Sequence, residues 1–155
     1  RQKVANFINS EKTEQLIWVR NTTEAINLVA KTWGENNIEK GDEILVSDYE
    51  ILVLPGGVKA MEKVRQDKKI INFISEFDKQ KKIIACICSG AQLLISAKVV
   101  RGRKIAGYYS MKDDLINAGA IYTDLPAVID KNIVTTAHYK DMGPWMRAVI
   151  EKLNQ

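Results

Sequence analysis

The chain has 155 residues, of which 46% are hydrophobic and 27% charged, with a formal net charge of +4. This composition is that of an ordinary globular protein and excludes a long disordered chain. No apolar run approaches the ~20 residues of a membrane-spanning helix, and the basic residues are interleaved with acidic ones, so we expect neither a membrane nor a nucleic-acid partner.

Helix and strand patterns alternate along the chain, which predicts a parallel sheet with helices on both faces. Before residue 48 the predicted elements are a helix at 1–9, a strand at 15–20, a helix from Thr22 and a strand at 42–47. The later predicted strands are 50–54, 82–88, 103–107, 127–130 and 132–136. One predicted helical stretch follows the turn Pro55-Gly56-Gly57 and runs to about Lys79. The later predicted helices cover 91–97, 112–118 and 143–153. No linker or repeat interrupts the pattern, which predicts one domain over residues 1–155.

The two cysteines, Cys86 and Cys88, are too few and too close for a disulfide framework. The chain also lacks a charged-then-apolar leader at Arg1. We therefore expect a protein of the reducing cytoplasm.

The segment Cys88-Ser89-Gly90 joins a predicted buried strand to a predicted helix. A thiol at such a turn stands above the carboxyl edge of the sheet, where the N-terminus of the helix stabilises a thiolate. The turn Pro55-Gly56-Gly57 ends a second strand at that edge, and its glycines let backbone N–H groups approach a substrate carbonyl. We predict a nucleophile at Cys88, the alternative being a small buried hydrophobic side chain. The predicted oxyanion hole is the backbone of Gly56, Gly57 and Ser89.

A thiol nucleophile needs a base or a charge partner. His138, the single histidine of the chain, follows the predicted strand 132–136 and reaches the same edge if that strand is parallel to the others. Glu24, in the first turn of the helix that begins at Thr22, is the second candidate. The simpler explanations are a surface loop residue for His138 and a carboxylate placed by the helix dipole for Glu24.

Four strings within residues 48–155 carry a family resemblance: DYEILVLPGG, ACICSGAQLLISAKVVRGRKIAGYY, MKDDLINAGA and WMRAVIEKL. They resemble the ThiJ/PfpI superfamily, and most of all its PfpI-type intracellular peptidases. The resemblance implies a flavodoxin-like α/β fold, a three-layer sandwich with a mainly parallel central sheet. It also implies homodimers or higher oligomers, and activities that include peptidase, glyoxalase and deglycase.

By position, the resemblance makes Cys88 the nucleophile and places Gly56 and Gly57 in the oxyanion-hole turn. The chain departs from the family pattern in that Ser89 stands where PfpI-type members carry a histidine. A second departure is a tyrosine pair, Tyr108 and Tyr109, in a nearby loop where some relatives have a histidine behind the reacting groups. The family also supplies a glutamate beside the cysteine from the loop after its first strand, and that segment is not recognisable here.

Residues 1–47 resemble instead a segment of SufS-type cysteine desulfurases, through the string RNTTEAINLVA. In those pyridoxal phosphate enzymes the two threonines help to hold the cofactor phosphate, a role that would fall on Thr22 and Thr23. The Schiff-base lysine and the ring contacts of such enzymes have no counterpart here, so we expect no cofactor, and we expect no metal. The join at about Asp48 predicts a chimera, and the missing initiator Met and the abrupt junction favour an engineered one.

Two function hypotheses follow. In the first, the protein is an enzyme of weak or lost activity in which Cys88 attacks small aldehydes or peptide bonds, with His138 or Glu24 as its partner. In the second, the protein is a folded chimera without physiological catalysis, and Cys88 is a reactive remnant. The absence of the family's glutamate and histidine favours the second hypothesis for turnover.

Overall fold

A computed structural model of the chain describes residue 12 and residues 49–155. Residues 49–155 belong to Ile44–Gln155, the second of two units into which the chain divides. The elements predicted before residue 48, together with Thr22, Thr23 and Glu24, lie outside the described residues. The prediction of one domain over the whole chain therefore stays a prediction.

Residues 49–155 contain strands and helices in alternation. The strands are β1 (Ile51–Leu54), β2 (Ile83–Ile87), β3 (Lys104–Ile105), β4 (Ile121–Tyr122), β5 (Val128–Asp130) and β6 (Ile133–Thr136). The α-helices are α1 (Val58–Val64), α2 (Lys68–Lys79), α3 (Ala91–Ser96), α4 (Lys112–Asn117) and α5 (Met142–Leu153). Short 3₁₀ turns cover Cys88–Gly90, Tyr109–Met111 and Tyr139–Asp141.

Four of these strands form one sheet in the order β1-β2-β6-β5. The pairs β1–β2 and β2–β6 are parallel, whereas β5 returns antiparallel to β6 through the turn at Lys131. The strands β3 and β4 form a separate parallel pair. This mainly parallel sheet with helices confirms the predicted flavodoxin-like α/β fold class.

The side chains of β2 alternate between the two faces of the sheet, as the period of a strand requires. Ile84 and Cys86 enter a core that α1 to α4 complete, while Ile83 and Ala85 pack on the other side against α5. A strand that is apolar on both faces is typical of a parallel sheet covered on both sides, which explains the continuous apolar run from Ile83 to Ile87.

The helix after the Pro55-Gly56-Gly57 turn is interrupted, which corrects the prediction of one helical stretch to about Lys79. The helix α1 ends at Val64, and α2 begins after Asp67, whose carboxylate accepts the backbone N–H of Lys69 at 2.8 Å. An aspartate in this position caps a new helix start because it satisfies a backbone donor that has no partner in the first turn.

The outer residues of α5 also correct the sequence-based expectation. Trp145 and Val149 are buried as predicted, and the indole N–H of Trp145 donates to the carbonyl of Val134 at 3.1 Å. Three further predicted core residues are instead 38–47% exposed: Met146, Ile150 and Leu153. Because one turn of helix takes 3.6 residues, these positions lie to one side of the stripe that faces the sheet.

The pair β3–β4 is a further difference, because β4 was not predicted and β3 is shorter than the expected 103–107. Two-residue strands carry too little period-2 pattern to be recognised. Among residues 49–155 no helix is both long enough and apolar enough to cross a bilayer.

Candidate active site

Cys88 occupies a strained turn at the carboxyl end of β2. Its φ is +61°, in the left-handed region that non-glycine residues rarely adopt, and it opens the 3₁₀ turn that leads into α3. Such a conformation costs about 1–3 kcal/mol and is common where a nucleophile is held above a sheet edge. The thiol is half-buried, and so accessible, whereas Cys86 two residues earlier is fully buried. Burial, and to a smaller extent the charge of Cys88, raises the pKa of the Cys86 thiol. Cys86 therefore stays protonated.

Two glycines, Gly56 and Gly90, allow close contact between the nucleophile turn and the Pro55-Gly56-Gly57 turn. A Cβ at Gly56 would lie 2.8 Å from Cys88 Cβ and 3.2 Å from its Sγ. A Cβ at Gly90 would lie 2.7 Å from the carbonyl oxygen of Leu54 and 2.8 Å from that of Pro55. The two turns therefore touch at backbone distance, as predicted from the parallel alignment of β1 and β2.

Ser89, which follows the nucleophile, is 1% exposed and binds the facing turn. Its Oγ accepts the backbone N–H of Gly57 at 2.8 Å. This hydrogen bond ties the two turns together, but it also occupies one of the N–H groups that the sequence assigns to an oxyanion hole. The oxyanion roles of Gly56, Gly57 and Ser89 stay predictions, and for Gly57 the role requires the bond to Ser89 to open.

His138 lies at the same edge of the sheet as Cys88. The strand β6 is parallel to β2, with Ile87 paired to Thr136, so the residues that follow the two strands emerge side by side. The Nδ1 atom of His138 accepts the backbone N–H of Lys140 at 3.2 Å. A neutral imidazole that accepts at Nδ1 carries its proton on Nε2. Within residues 49–155 no hydrogen bond joins His138 to Cys88, so their partnership stays a prediction.

Three tyrosine rings surround the His138 imidazole. The ring centroids lie 6.3 Å away for Tyr108, 6.2 Å for Tyr109 and 4.1 Å for Tyr139. The backbone N–H of Tyr108 donates to the carbonyl of Cys88 at 3.3 Å, so the same loop contacts both candidate residues. Tyr108 and Tyr109 were predicted to lie behind the reacting groups, and both contact the imidazole of His138. Tyr139 was missed, and its place directly after His138 was the available signal.

The remaining candidate, Glu24, lies outside the described residues and its role stays a prediction. Across residues 49–155 and residue 12 there is no group of three or more histidine, cysteine or carboxylate side chains arranged to hold a metal ion. The described site therefore consists of one accessible thiol, one imidazole with its proton on Nε2, an aromatic wall and two interlocked backbone turns. Such a set suits the attack of sulfur on an electrophilic carbon, with a hydrogen-bond donor at Nε2 for the leaving group.

Comparison with known proteins gives a family match and named relatives. The profile of the DJ-1/PfpI family matches residues 25–152. The "Deglycase PfpI" of Pyrococcus furiosus is 40% identical over 112 residues, which are 72% of this chain and 67% of that protein. The "Protein/nucleic acid deglycase 2" of Escherichia coli is 37% identical over 103 residues, 66% of this chain and 59% of that protein. The chain thus spans about two thirds of the length of these relatives.

Solved structures agree with the fold. A two-domain protein of Anabaena variabilis with DJ-1/ThiJ/PfpI-like and ferritin-like domains superposes with a TM-score of 0.70 and 32% identity, over 72% of this chain and 32% of that chain. DJ-1 of Schizosaccharomyces pombe gives a TM-score of 0.63 at 23% identity, over 68% of this chain and 56% of that chain, and supports the fold alone. The comparisons give no evidence for the predicted desulfurase segment or for a chimera. The family match begins at residue 25, inside the segment for which that origin was predicted.

Proposed function

The chain belongs to the DJ-1/PfpI family, and from this premise we propose that it is an enzyme in which Cys88 cleaves carbon–nitrogen bonds between amines and carbonyl-derived fragments. The observation that carries the proposal is the left-handed backbone of Cys88, at φ +61°, which lifts an accessible thiol above the sheet edge. Two relatives named as deglycases support this substrate class. Peptide bonds, the alternative substrates implied by the resemblance, also join a nitrogen to a carbonyl carbon.

The thiol supplies the bond-forming step. The sulfur of the Cys88 thiolate bonds to the electrophilic carbon that carries the nitrogen, and the electron pair of the carbon–nitrogen bond leaves with the nitrogen. The nitrogen takes up a proton, so the amine departs neutral or protonated, and water then displaces the sulfur and regenerates the thiol. Cys86 has no part in this sequence because it is fully buried.

His138 is the proposed hydrogen-bond donor to the departing nitrogen. The N–H of Lys140 binds Nδ1, so the mobile proton of the neutral ring is on Nε2, the nitrogen that remains free to face a substrate. The rings of Tyr108, Tyr109 and Tyr139 lie near the imidazole, with centroids 4.1–6.3 Å from it. In this tautomer Nε2–H donates a hydrogen bond to the departing nitrogen and does not take the Cys88 proton, and the proton that the nitrogen takes up comes from solvent. Glu24, the second candidate from the sequence, lies outside the described residues, and its role as the base stays a prediction.

The two interlocked turns orient the thiol of Cys88. The hydrogen bond from Gly57 to Ser89 and the close approach of Gly56 to Cys88 fix the thiol relative to the end of β1. A fixed nucleophile lowers the entropy cost of reaching the reactive geometry. A homodimer and a cytoplasmic location remain predictions, and the inert chimera is not proposed because the comparisons give it no support.

The test uses a defined adduct and two cysteine variants. N-acetyl-lysine treated with methylglyoxal is incubated with the protein, and the release of free amine is followed by reaction with an amine-specific fluorophore. Cys88→Ala is expected to lower the rate by at least about 100-fold, because the bond-forming atom is lost. Cys86→Ala is the matched control, since it removes a thiol two residues away that is not accessible, and is expected to keep the rate within about threefold.

An unchanged rate in Cys88→Ala would exclude the proposed nucleophile. A fluorogenic peptide amide assayed in parallel decides between the two substrate classes. If the peptide amide is cleaved faster than the adduct, and only when Cys88 is present, the protein is a peptidase and the deglycase proposal is wrong.

A further inference from the structure

A cavity lies at the end of the sheet opposite Cys88. Its volume is about 500 Å³, within the range of about 300–1,000 Å³ in which small molecules bind. Lys81 precedes β2 and Lys131 precedes β6, whereas Cys88 and His138 follow these strands. The five residues of β2, at about 3.3 Å each, separate the two ends by roughly 16 Å. A ligand in this cavity is therefore distinct from a substrate at Cys88.

Basic side chains dominate the lining of this cavity. Five of its seven lining residues are cations: Lys79, Lys81, Arg103, Lys131 and Lys152. The other two are Asp78 and Asn132. We refer to these seven residues as the basic cavity.

A network of buried hydrogen bonds fixes the floor of the basic cavity. The Arg103 guanidinium is 7% exposed and contacts the carboxylates of Asp78 and Asp130. Its second terminal nitrogen donates to the backbone carbonyl of Asp130 and to the side-chain oxygen of Asn132, both at 2.7 Å. The Asn132 amide in turn donates to the carbonyl of Lys82 at 2.9 Å. Arg103 is thus fully engaged and gives the floor rigidity, leaving the lysines to bind a ligand.

The charge balance of the basic cavity is positive. Three carboxylates contact its cations: Asp78 and Asp130 contact Arg103, and Glu76 pairs with Lys79 at 3.4 Å. Five positive charges against three negative ones leave an excess of two. Among the described residues Lys81, Lys131 and Lys152 have no carboxylate within ion-pair distance, although the charge of Lys131 helps to lower the pKa of Asp130 and Lys152 donates to the side-chain oxygen of Gln155. An excess of like charge around a concave surface raises the local concentration of anions.

The lysines of the basic cavity differ in their positions along the chain. Lys79 and Lys152 lie in the last turns of α2 and α5, where a cation offsets the negative end of the helix dipole. Lys81 directly follows the C-cap of α2 and its N–H donates to the carbonyl of Asp78, so the same dipole reaches it, whereas Lys131 lies in the turn between β5 and β6. Both have a left-handed backbone, with φ of +58° and +55°, at positions where glycine or asparagine is favoured.

We propose that the basic cavity binds a small molecule that carries two or more phosphate groups, with Lys81 and Lys131 as its principal ligands. Two lysines on separate turns suit a ligand whose charges are spread over several ångströms, and a single phosphate would meet them less well. The size of the cavity leaves room for an organic group attached to the phosphates.

The test measures binding of tripolyphosphate, pyrophosphate and orthophosphate to the full chain by isothermal titration calorimetry at low salt. Tripolyphosphate is expected to bind at least about tenfold more tightly than orthophosphate, and to weaken as NaCl is raised through about 0.15 M. The double variant Lys81→Gln with Lys131→Gln is expected to lower the tripolyphosphate affinity at least about tenfold. Both side chains are exposed, so the variant is expected to fold.

Lys98→Gln is the matched control, because Lys98 has the same left-handed backbone, at φ +61°, and lies outside the basic cavity. It is expected to leave the affinity within about twofold of wild type. If Lys98→Gln, which removes one charge, shows half or more of the logarithmic loss of the double variant, which removes two, then tripolyphosphate senses only the net charge and the proposal is overturned. No binding at millimolar tripolyphosphate would overturn it as well.

A nucleoside triphosphate titrated in the same way distinguishes the source of the phosphate groups. Tighter binding than tripolyphosphate would show that the cavity also contacts the organic part, and equal binding would assign the site to polyphosphate alone. The calorimetry does not depend on catalysis, so its result stands whatever role Cys88 has.

Discussion

Gly90→Ala tests the inference that backbone contact between two turns builds the candidate active site. Gly90 has φ −55° and ψ −25°, a helical conformation that alanine adopts without strain. Conformational preference alone would make alanine more stable than glycine there, by up to about 1 kcal/mol. Any loss of stability must therefore come from the space that the new Cβ needs.

That space is already taken by backbone atoms. The added Cβ would lie 2.7 Å from the Leu54 carbonyl oxygen, 2.8 Å from that of Pro55 and 3.1 Å from Cys86 Sγ. Carbon–oxygen contacts of about 3.3–3.6 Å are ordinary, so the end of β1 must shift by roughly half an ångström or more. Overpacking of this kind costs about 1–3 kcal/mol. We expect a net loss near 2 kcal/mol, which for a chain of this size lowers Tm by about 4–8 °C.

The assay is urea unfolding followed by circular dichroism, with the rate of Cys88 alkylation by iodoacetamide in the folded protein as a second measurement. Gly143→Ala is the control, because Gly143 lies within α5 and a Cβ there meets no atom within 4 Å. It is expected to leave the free energy of unfolding unchanged or to raise it by up to about 1 kcal/mol. The reasoning is refuted if Gly90→Ala unfolds within about 0.5 kcal/mol of wild type. A changed alkylation rate in Gly90→Ala but not in Gly143→Ala would show that the displaced turn also alters the thiol.

Three further predictions concern a buried hydrogen bond and two charged or titrating groups. Ser89→Ala removes the acceptor of the Gly57 N–H and is expected to cost about 1–3 kcal/mol in the free energy of unfolding. The control Ser110→Ala changes an exposed serine and is expected to cost less than about 0.5 kcal/mol. Equal costs in the two variants would show that the hydrogen bond does not stabilise the fold. Burial raises the pKa of the Cys86 thiol above its unfolded value of 9.0. The free energy of unfolding is therefore expected to be highest below pH 9.0 and to fall above it, by up to about 1.4 kcal/mol per pH unit. Cys86→Ala should flatten this slope in urea unfolding from pH 8 to 10.5, and an unchanged slope would assign the fall to other groups. Burial alone would raise the pKa of Asp130, but the Lys104 N–H, the Arg103 guanidinium and the charge of Lys131 outweigh it and lower that pKa below 3.8. This carboxylate therefore stabilises the fold above pH 3.8, and the contribution is lost as pH falls through the lowered value. Asp130→Asn should cost about 2 kcal/mol at pH 7 and much less at pH 2, and an equal cost at both pH values would contradict the charge-based account.

The sequence predicted the described part of the fold because its signals are local. Five apolar residues from Ile83 to Ile87 indicate a strand buried on both faces, and the turn Pro55-Gly56-Gly57 marks the end of another. The same local signals located Cys88 at a strand-to-helix turn and His138 beyond a parallel strand. Where the signal was weak, as in the two-residue β4, or shared between two faces, as in α5, the prediction failed.

The sequence by itself determined the type and order of the elements and the identity of the candidate nucleophile, because both depend on neighbours along the chain. Tertiary structure alone decided which partners the polar groups have. The bond from Gly57 to Ser89 spans 32 residues, and the contact of Arg103 with Asp78 joins the residue before β3 to α2. Such pairs depend on distances of a few tenths of an ångström between distant segments, which no periodicity records. For the same reason the basic cavity emerges only when the turns at Lys81 and Lys131 are brought to the same end of the sheet.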